Sequence, residues 1–125
     1  MEIKFEKLEK ALAQLKSAVL SDLKSDLERD GVIQRFEYTI ELLWKVAKKV
    51  LEENGVVAIA PKDTIRELAN VGWISNPDEF IKYLKMRNES SHSYREEIAK
   101  KIFESAKTFV PACESLIIIL KEKSK

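Results

Sequence analysis

Turn-forming and cross-linking residues are scarce in this sequence. Its 125 residues include only three Gly, three Pro and one Cys. A β-sandwich or β-barrel needs many tight turns, so this composition disfavours an all-β fold. A single Cys can form neither an internal disulfide nor a thiolate metal cluster, so nothing in the sequence requires an oxidising compartment.

An excess of one charge and a long apolar run are also lacking. The chain has 22 Lys and Arg against 21 Asp and Glu, a net charge of +1, which argues against a strongly basic nucleic-acid coat protein. The longest aliphatic run, Leu116 to Leu120, is too short to span a membrane, and the N-terminal MEIKFEKLEK is not a signal peptide. We therefore expect one cytoplasmic domain, residues 1–125, with no membrane partner.

Apolar residues recur at steps of three and four along most of the chain. Such stripes predict three long amphipathic helices, of which the second runs from about Asp30 to Glu53 and is followed by Gly55 as a left-handed cap. The three stripes are Phe5, Leu8, Leu12, Leu15 and Val19; Ile33, Phe36, Ile40, Leu43, Ala47, Val50 and Leu51; and Ile98, Ile102, Ala106, Phe109, Cys113, Leu116 and Leu120.

Two prolines mark the starts of shorter helices. Pro61 suits the first turn of a helix that ends before Gly72, and Pro77 follows Asn76, a good N-cap residue. The β-prone segment 56–60 has no visible partner strand, so we interpret it as a buried connection. These elements predict an all-α, up-and-down helical bundle with three long helices and two short ones.

The start and the end of the last helix carry two further predictions. Ser93 and Glu96 resemble a capping box, which would start this helix near Tyr94. The run Leu116 to Leu120 covers the whole circumference of a helix, so one apolar face is left over when the other enters the core. A helix wedged between two others would explain it, but we favour a partner surface.

Most enzyme signatures are absent from the sequence. There is no P-loop, no dinucleotide-binding fingerprint and no Gly-x-Ser-x-Gly elbow. The Gly-Ser turn of nucleotidyltransferases is missing too, because no Gly precedes a Ser. Cys113 lies on a core stripe, where a thiol acts as a small hydrophobic group rather than as a nucleophile.

The only His, His92, lies five positions after Arg87. Glu89 and His92 have the spacing of one half of a di-iron site, but a second half needs another His, so we set metal aside. Arg87 and His92 would diverge by about 140° on an ideal helix, and a helix end near Ser90 and Ser91 would bring them together. A guanidinium beside an imidazole suits phosphate chemistry.

Arg87 and His92 also have a simpler, purely structural interpretation. Arg87 and His92 can cap carbonyl groups or pair with Glu89 at the surface, and on spacing alone we favour that interpretation. Local charge favours phosphate binding, because six basic side chains face three Glu between Phe80 and Lys101, a net charge of +3.

The segment 87–94, RNESSHSY, fits the pattern Arg-x4-His-x-Tyr, with a polar Asn88 directly after the Arg. The sequence here resembles the HEPN superfamily of small helical bundles, and within it the nucleotidyltransferase substrate-binding proteins, also described as HepT-type toxins. The resemblance extends through QRFEYT and ELLWK in the second helix and through PKDTIRELA, and covers most of the chain after Asp30. Ala60 departs from it where a capping Ser is expected.

The resemblance implies a metal-independent endoribonuclease toxin that acts as a homodimer and needs no cofactor. In that scheme His92 activates the ribose 2′-hydroxyl or protonates the leaving 5′-oxygen, Arg87 stabilises the phosphorane, and Asn88 orients the RNA substrate or His92. A partner minimal nucleotidyltransferase, the antitoxin, would silence the enzyme by transferring AMP to Tyr94. Without the resemblance, Tyr94 is most simply an amphipathic residue at a helix start.

Two questions stay open at the level of sequence. Arg35, Glu37 and Glu41 could form a polar network with Arg87, but we interpret them as structural pairs and leave them outside the site.

The older name of the group suggests an alternative function, a non-catalytic subunit that presents substrate to a separate nucleotidyltransferase. A chain that only dimerises through its last helix is a third interpretation.

Overall fold

The computed structural model describes residues 2–21 and 25–124 as a bundle of five α-helices. They are α1 (Glu6–Leu20), α2 (Asp26–Glu53), α3 (Pro61–Asn70), α4 (Pro77–Glu89) and α5 (Glu96–Lys123), with a 3₁₀ turn at Ser90–His92. The all-α prediction is confirmed, and so is the division into three longer and two shorter helices.

Ion pairs and hydrogen bonds between helices fix their directions. Lys121 Nζ lies 2.8 Å from Glu9 Oε2 and Lys16 Nζ lies 3.1 Å from Glu114 Oε2, so α1 and α5 are antiparallel. Helices α2 and α5 run in the same direction, since hydrogen bonds join the start of α2 to the start of α5 and the end of α2 to the end of α5. With α4 antiparallel to α5, the four larger helices alternate up and down.

The predicted stripes form the core. The α2 stripe is buried throughout, and the α1 and α5 stripes are buried except for the half-buried Phe5, Val19 and Ile98. Phe109 of α5 makes edge-to-face contacts with Phe36 of α2 and Tyr83 of α4, both with ring centroids 5.2 Å apart. This aromatic row joins α2, α5 and α4 at the centre of the bundle.

Both helix starts marked by proline are confirmed, with Ala60 and Asn76 at the N-cap positions of α3 and α4. Gly55 follows α2 with a φ of 81°, the left-handed conformation predicted for it.

Three predictions about boundaries and burial are wrong. Helix α2 begins at Asp26 rather than near Asp30. The capping box is not formed, since α5 begins at Glu96 with no side-chain cap. The connection 56–60 is not buried as a whole: Val57 and Ile59 are largely exposed and only Ala58 is buried, because an extended chain turns alternate side chains to opposite sides.

Candidate functional site

The segment 87–94 lies where α4 ends and the chain turns into α5. The Ser90 hydroxyl donates to the carbonyl of Arg87 at 2.6 Å, and α4 ends at Glu89. The next three residues form the 3₁₀ turn, and the amide of Ser93 donates back to the carbonyl of Ser90 at 3.1 Å. The predicted helix end at the two serines is therefore present.

Arg87 is held from one side by an acidic residue of α2. Its Nε lies 2.7 Å from Oε1 of Glu41, but this buried N–H does not point at the oxygen well enough to form a hydrogen bond. We describe the contact as an ion pair. Neither Nη group forms a hydrogen bond among the described residues, and the side chain is 38% exposed. A guanidinium held in this way can still donate two N–H groups to an anion.

Glu41 is the residue of this site that the sequence analysis set aside. Its Oε2 lies 3.8 Å from Lys45 Nζ one turn further along α2, so the carboxylate is placed between two cations. Glu41 and Arg87 are 46 positions apart in the sequence. A contact between Glu41 and Arg87 was one of the two interpretations of the sequence, but the spacing of the residues could not decide between it and separate structural pairs.

His92 and Tyr94 form the exposed half of the site. Their ring centroids are 6.2 Å apart and the planes are inclined at 70°, an edge-to-face arrangement. Tyr94 is 77% exposed. In the part of the chain that the structure describes, neither imidazole nitrogen has a hydrogen-bond partner, so both are available for proton transfer.

No hydrogen bond joins Arg87 to His92 within the described part of one chain. Each has its own neighbour instead, Glu41 for the guanidinium and Tyr94 for the imidazole. Asn88 is exposed, and its side chain has no hydrogen-bond partner in residues 2–21 and 25–124. The roles of these residues therefore stay predictions.

An ion pair with α2 neutralises one of the acidic side chains of the segment 80–101. Arg29 donates two hydrogen bonds to Glu96, at 2.8 and 2.9 Å, and these hold the pKa of that carboxyl below its usual value. One of the three Glu of the segment 80–101 is thus already paired with a cation from α2. The basic side chains Arg95, Lys100 and Lys101 stay exposed nearby.

The described residues support neither a metal site nor a reactive thiol. Among the described residues, no group of three or more His, Cys, Asp and Glu side chains could hold a metal ion. Cys113 is fully buried, and burial raises the pKa of its thiol far above the ordinary value. The thiolate is the nucleophilic form, so the prediction that Cys113 is an inert core residue is confirmed.

A sequence model of the family described as "Nucleotidyltransferase substrate binding protein like" matches residues 3–122. The chain belongs to this family. The resemblance found in the segment 87–94 and in α2 is thereby confirmed, and the match extends beyond the part of the chain after Asp30 to include α1. None of the described helices is long and apolar enough to cross a membrane.

Two proteins that are similar to this chain bear different descriptions. A Haemophilus influenzae protein named "Probable ribonuclease HepT" is 27% identical over 130 residues, covering 97% of this chain and 89% of that protein. A solved structure from the same organism, described as revealing the fold of a substrate binding domain of a nucleotidyltransferase, has a TM-score of 0.85 at 25% identity, covering 94% of this chain and 99% of that one.

A third relative shows the fold without a functional name. It is a solved structure from Thermus thermophilus, with a TM-score of 0.86 and 34% identity, covering 90% of this chain and 98% of that one. The likeness spans nearly the full length of each protein, so both solved structures share the bundle described above.

Proposed function

We propose that this protein is a metal-independent endoribonuclease, the toxin of a toxin–antitoxin pair. The observation that carries the proposal is the arrangement of Arg87 and His92. Glu41 contacts Arg87 at Nε, and neither the Nη groups nor the imidazole of His92, five residues later, form a hydrogen bond among the described residues. The relative named "Probable ribonuclease HepT" supports the assignment of a ribonuclease activity.

The proposed reaction is attack of a ribose 2′-hydroxyl on the adjacent phosphorus. His92 takes the proton of the 2′-hydroxyl or gives a proton to the departing 5′-oxygen, and Arg87 donates N–H groups to the phosphorane oxygens. Asn88 orients the RNA or the imidazole. The new O–P bond replaces the broken one, so the products end in a 2′,3′-cyclic phosphate and a 5′-hydroxyl. In a homodimer, the Arg87 and His92 of two chains would meet in one shared site.

Tyr94 is the proposed control point of this enzyme. Its exposure leaves the hydroxyl open to a minimal nucleotidyltransferase acting as the antitoxin. AMP attached there would place a phosphodiester anion beside the imidazole of His92. Such an anion would compete with RNA for the guanidinium of Arg87 and so silence the enzyme.

The test is incubation of the purified protein with RNA in the presence of EDTA. We expect cleavage that leaves cyclic phosphate ends, reduced about 10²- to 10⁴-fold by His92→Ala because a general acid or base is lost. Arg87→Ala should reduce the rate as well. Cleavage that EDTA abolishes, or that His92→Ala leaves intact, would contradict the proposal.

The second candidate function is a non-catalytic subunit that presents substrate to a separate nucleotidyltransferase. The name of the family and the description of the Haemophilus influenzae structure favour it. A cognate nucleotidyltransferase that modifies a third molecule only when this chain is present, with no RNA cleavage by the chain alone, would establish this function instead.

A further inference from the structure

Tyr38 is an aromatic side chain on the outside of α2. It is 54% exposed, and its hydroxyl forms no hydrogen bond in the described part of the chain. Its neighbours Phe36 and Ile40 are buried and supply the packing of this turn. The core therefore gives no reason for an aromatic ring at this position.

Tyr38 belongs to a polar face of α2. Gln34, Tyr38, Glu41 and Lys45 follow one another at steps of four, three and four, so they share one side of the helix. All four are exposed or half-buried. We call this face the outer stripe of α2.

The outer stripe leads directly to Arg87. Glu41 contacts the Arg87 guanidinium at 2.7 Å, and Tyr38 precedes Glu41 by three residues. Residues three apart on a helix have their Cβ atoms about 5–6 Å from each other. An exposed ring thus lies one helical turn from the carboxylate that orients the proposed phosphate-binding group.

The charge around the ring is nearly balanced. The positive residues are Arg35, Lys45 and Arg87, and the negative ones are Glu37 and Glu41. Their sum is a net charge of +1. A field this weak attracts nucleic acid only slightly, so binding has to come from individual contacts. An exposed aromatic ring supplies one, because every nucleobase has a flat face that can stack on it.

We propose that Tyr38 is a stacking platform for a nucleobase of single-stranded RNA, next to the phosphate bound by Arg87. The inference rests on the proposed ribonuclease function and extends its site from α4 and the 3₁₀ turn onto α2. Tyr38 contacts the substrate and leaves the chemistry to Arg87 and His92.

The experiment measures binding of a fluorescein-labelled 2′-O-methyl oligoadenylate to the full chain by fluorescence anisotropy. This probe has no free 2′-hydroxyl, so it cannot be cleaved. Tyr38→Ala should weaken binding about tenfold through the loss of one stacked base, whereas Tyr38→Phe should bind like the parent. Leu27→Ala is the matched control, because Leu27 is 81% exposed on the same helix but far from the outer stripe's Arg87 contact.

Two further measurements separate stacking from charge. An abasic oligomer of the same length should bind parent and Tyr38→Ala equally. The slope of log affinity against log salt should stay unchanged in Tyr38→Ala, whereas Arg87→Ala should flatten it by about 0.7, the value for one phosphate contact on a single strand.

The outcomes distinguish this inference from the function on which it rests. Equal affinity of Tyr38→Ala and the parent for the oligoadenylate would overturn the stacking role, as would the same loss on the abasic oligomer. If light scattering shows that Tyr38→Ala dissociates into monomers, the ring belongs to an interface between copies of the chain. A parent that binds no RNA, or an Arg87→Ala variant that binds like the parent, would instead overturn the proposed function.

Discussion

The guanidinium of Arg87 contacts Glu41 through Nε, and its two Nη groups form no hydrogen bond within the described residues. Glu41 lies between Arg87 and Lys45, so the three side chains together carry a charge of +1. A phosphate that approaches from solvent therefore meets a positive group that Glu41 already holds from one side. This arrangement reduces the conformational entropy that binding would otherwise cost an arginine side chain.

At the same scale, Tyr94→Phe should separate regulation from folding. Phenylalanine has no acceptor oxygen, so this variant should take no AMP from the cognate nucleotidyltransferase and ATP. The free energy of unfolding should change by less than about 0.5 kcal/mol, as is usual for an exposed position. Intact-mass spectrometry after the incubation measures the first effect, and chemical denaturation measures the second.

The parent protein is the control in this experiment. Adenylyl mass on Tyr94→Phe equal to that on the parent would place the modified residue elsewhere. A mass shift on neither protein would favour the non-catalytic subunit.

The sequence predicts the parts of the site that depend on neighbouring residues, but not the parts that depend on contacts between helices. The helix end after Arg87 is encoded locally, since the two serines that follow can take up backbone hydrogen bonds. The partner of Arg87 is not encoded locally, because Glu41 meets it only when α2 packs beside α4. The exposure of Tyr38 is a property of the packed bundle for the same reason.

Among the elements, buried faces follow from the sequence more directly than the starts of α2 and α5. The stripes of α1, α2 and α5 follow from a period of 3.6 residues and from the loss of water by apolar side chains. The start of α2 depends instead on Ser25, whose hydroxyl accepts a hydrogen bond from the amide of Glu28 at 3.2 Å. This cap lies ahead of a polar first turn, where the apolar stripe has not yet begun.

The start of α5 shows the competition between two local structures. Ser93 had the spacing of a capping residue, but its amide closes the 3₁₀ turn on Ser90, and the amide of Arg95 donates to the carbonyl of His92 at 3.0 Å. The chain therefore reaches helical geometry two residues later than the capping pattern predicted.

Glu96→Gln should weaken the connection between the starts of α2 and α5. Arg29 lowers the pKa of Glu96 in the folded chain, so the ion pair stabilises the fold above the ordinary pKa of a glutamate and is lost as the pH falls through the lowered one. We expect a small decrease in melting temperature at pH 7, of the size usual for exposed pairs, and none in strong acid.

Thermal melts followed by circular dichroism across this pH range measure the effect. Glu97→Gln is the matched control, because Glu97 is exposed on the same first turn and has no ion pair within the described residues. An equal decrease in both variants would assign the effect to the negative charge at the helix start rather than to the pair with Arg29.

In the whole molecule, the proposed site and the leftover apolar face lie at opposite ends of α5. Leu116, Ile117 and Leu120 are buried, whereas Ile118 is 60% exposed, as the sequence predicted for one side of this run. Ile118 follows Glu96 by 22 residues, which is about 33 Å along a helix. An interface that includes both ends has to extend along most of α5.

We predict a homodimer with such an interface, which includes the last helix and the segment 87–94. Ile118→Glu would place an unpaired charge in this interface. The variant should dimerise at least about tenfold more weakly, because an apolar contact is lost and a charge is buried. Multi-angle light scattering across a dilution series measures this. Leu20→Glu, at an exposed residue of α1, is the control.

A monomeric parent at micromolar concentration would contradict this prediction. So would a dimer that dissociates in Leu20→Glu but not in Ile118→Glu, because the contact would then lie on α1. A dimer with the two His92 residues on opposite outer surfaces would contradict the shared site while leaving dimerisation itself intact.

The burial of Cys113 has a practical consequence for spectroscopy of this protein. The only thiol of the chain is enclosed in the core, and its raised pKa keeps it protonated. A cysteine introduced at an exposed position would therefore react with a maleimide or nitroxide reagent in the native state, while Cys113 would not. Spin labels or fluorophores can thus be attached one site at a time, with the natural cysteine left in place.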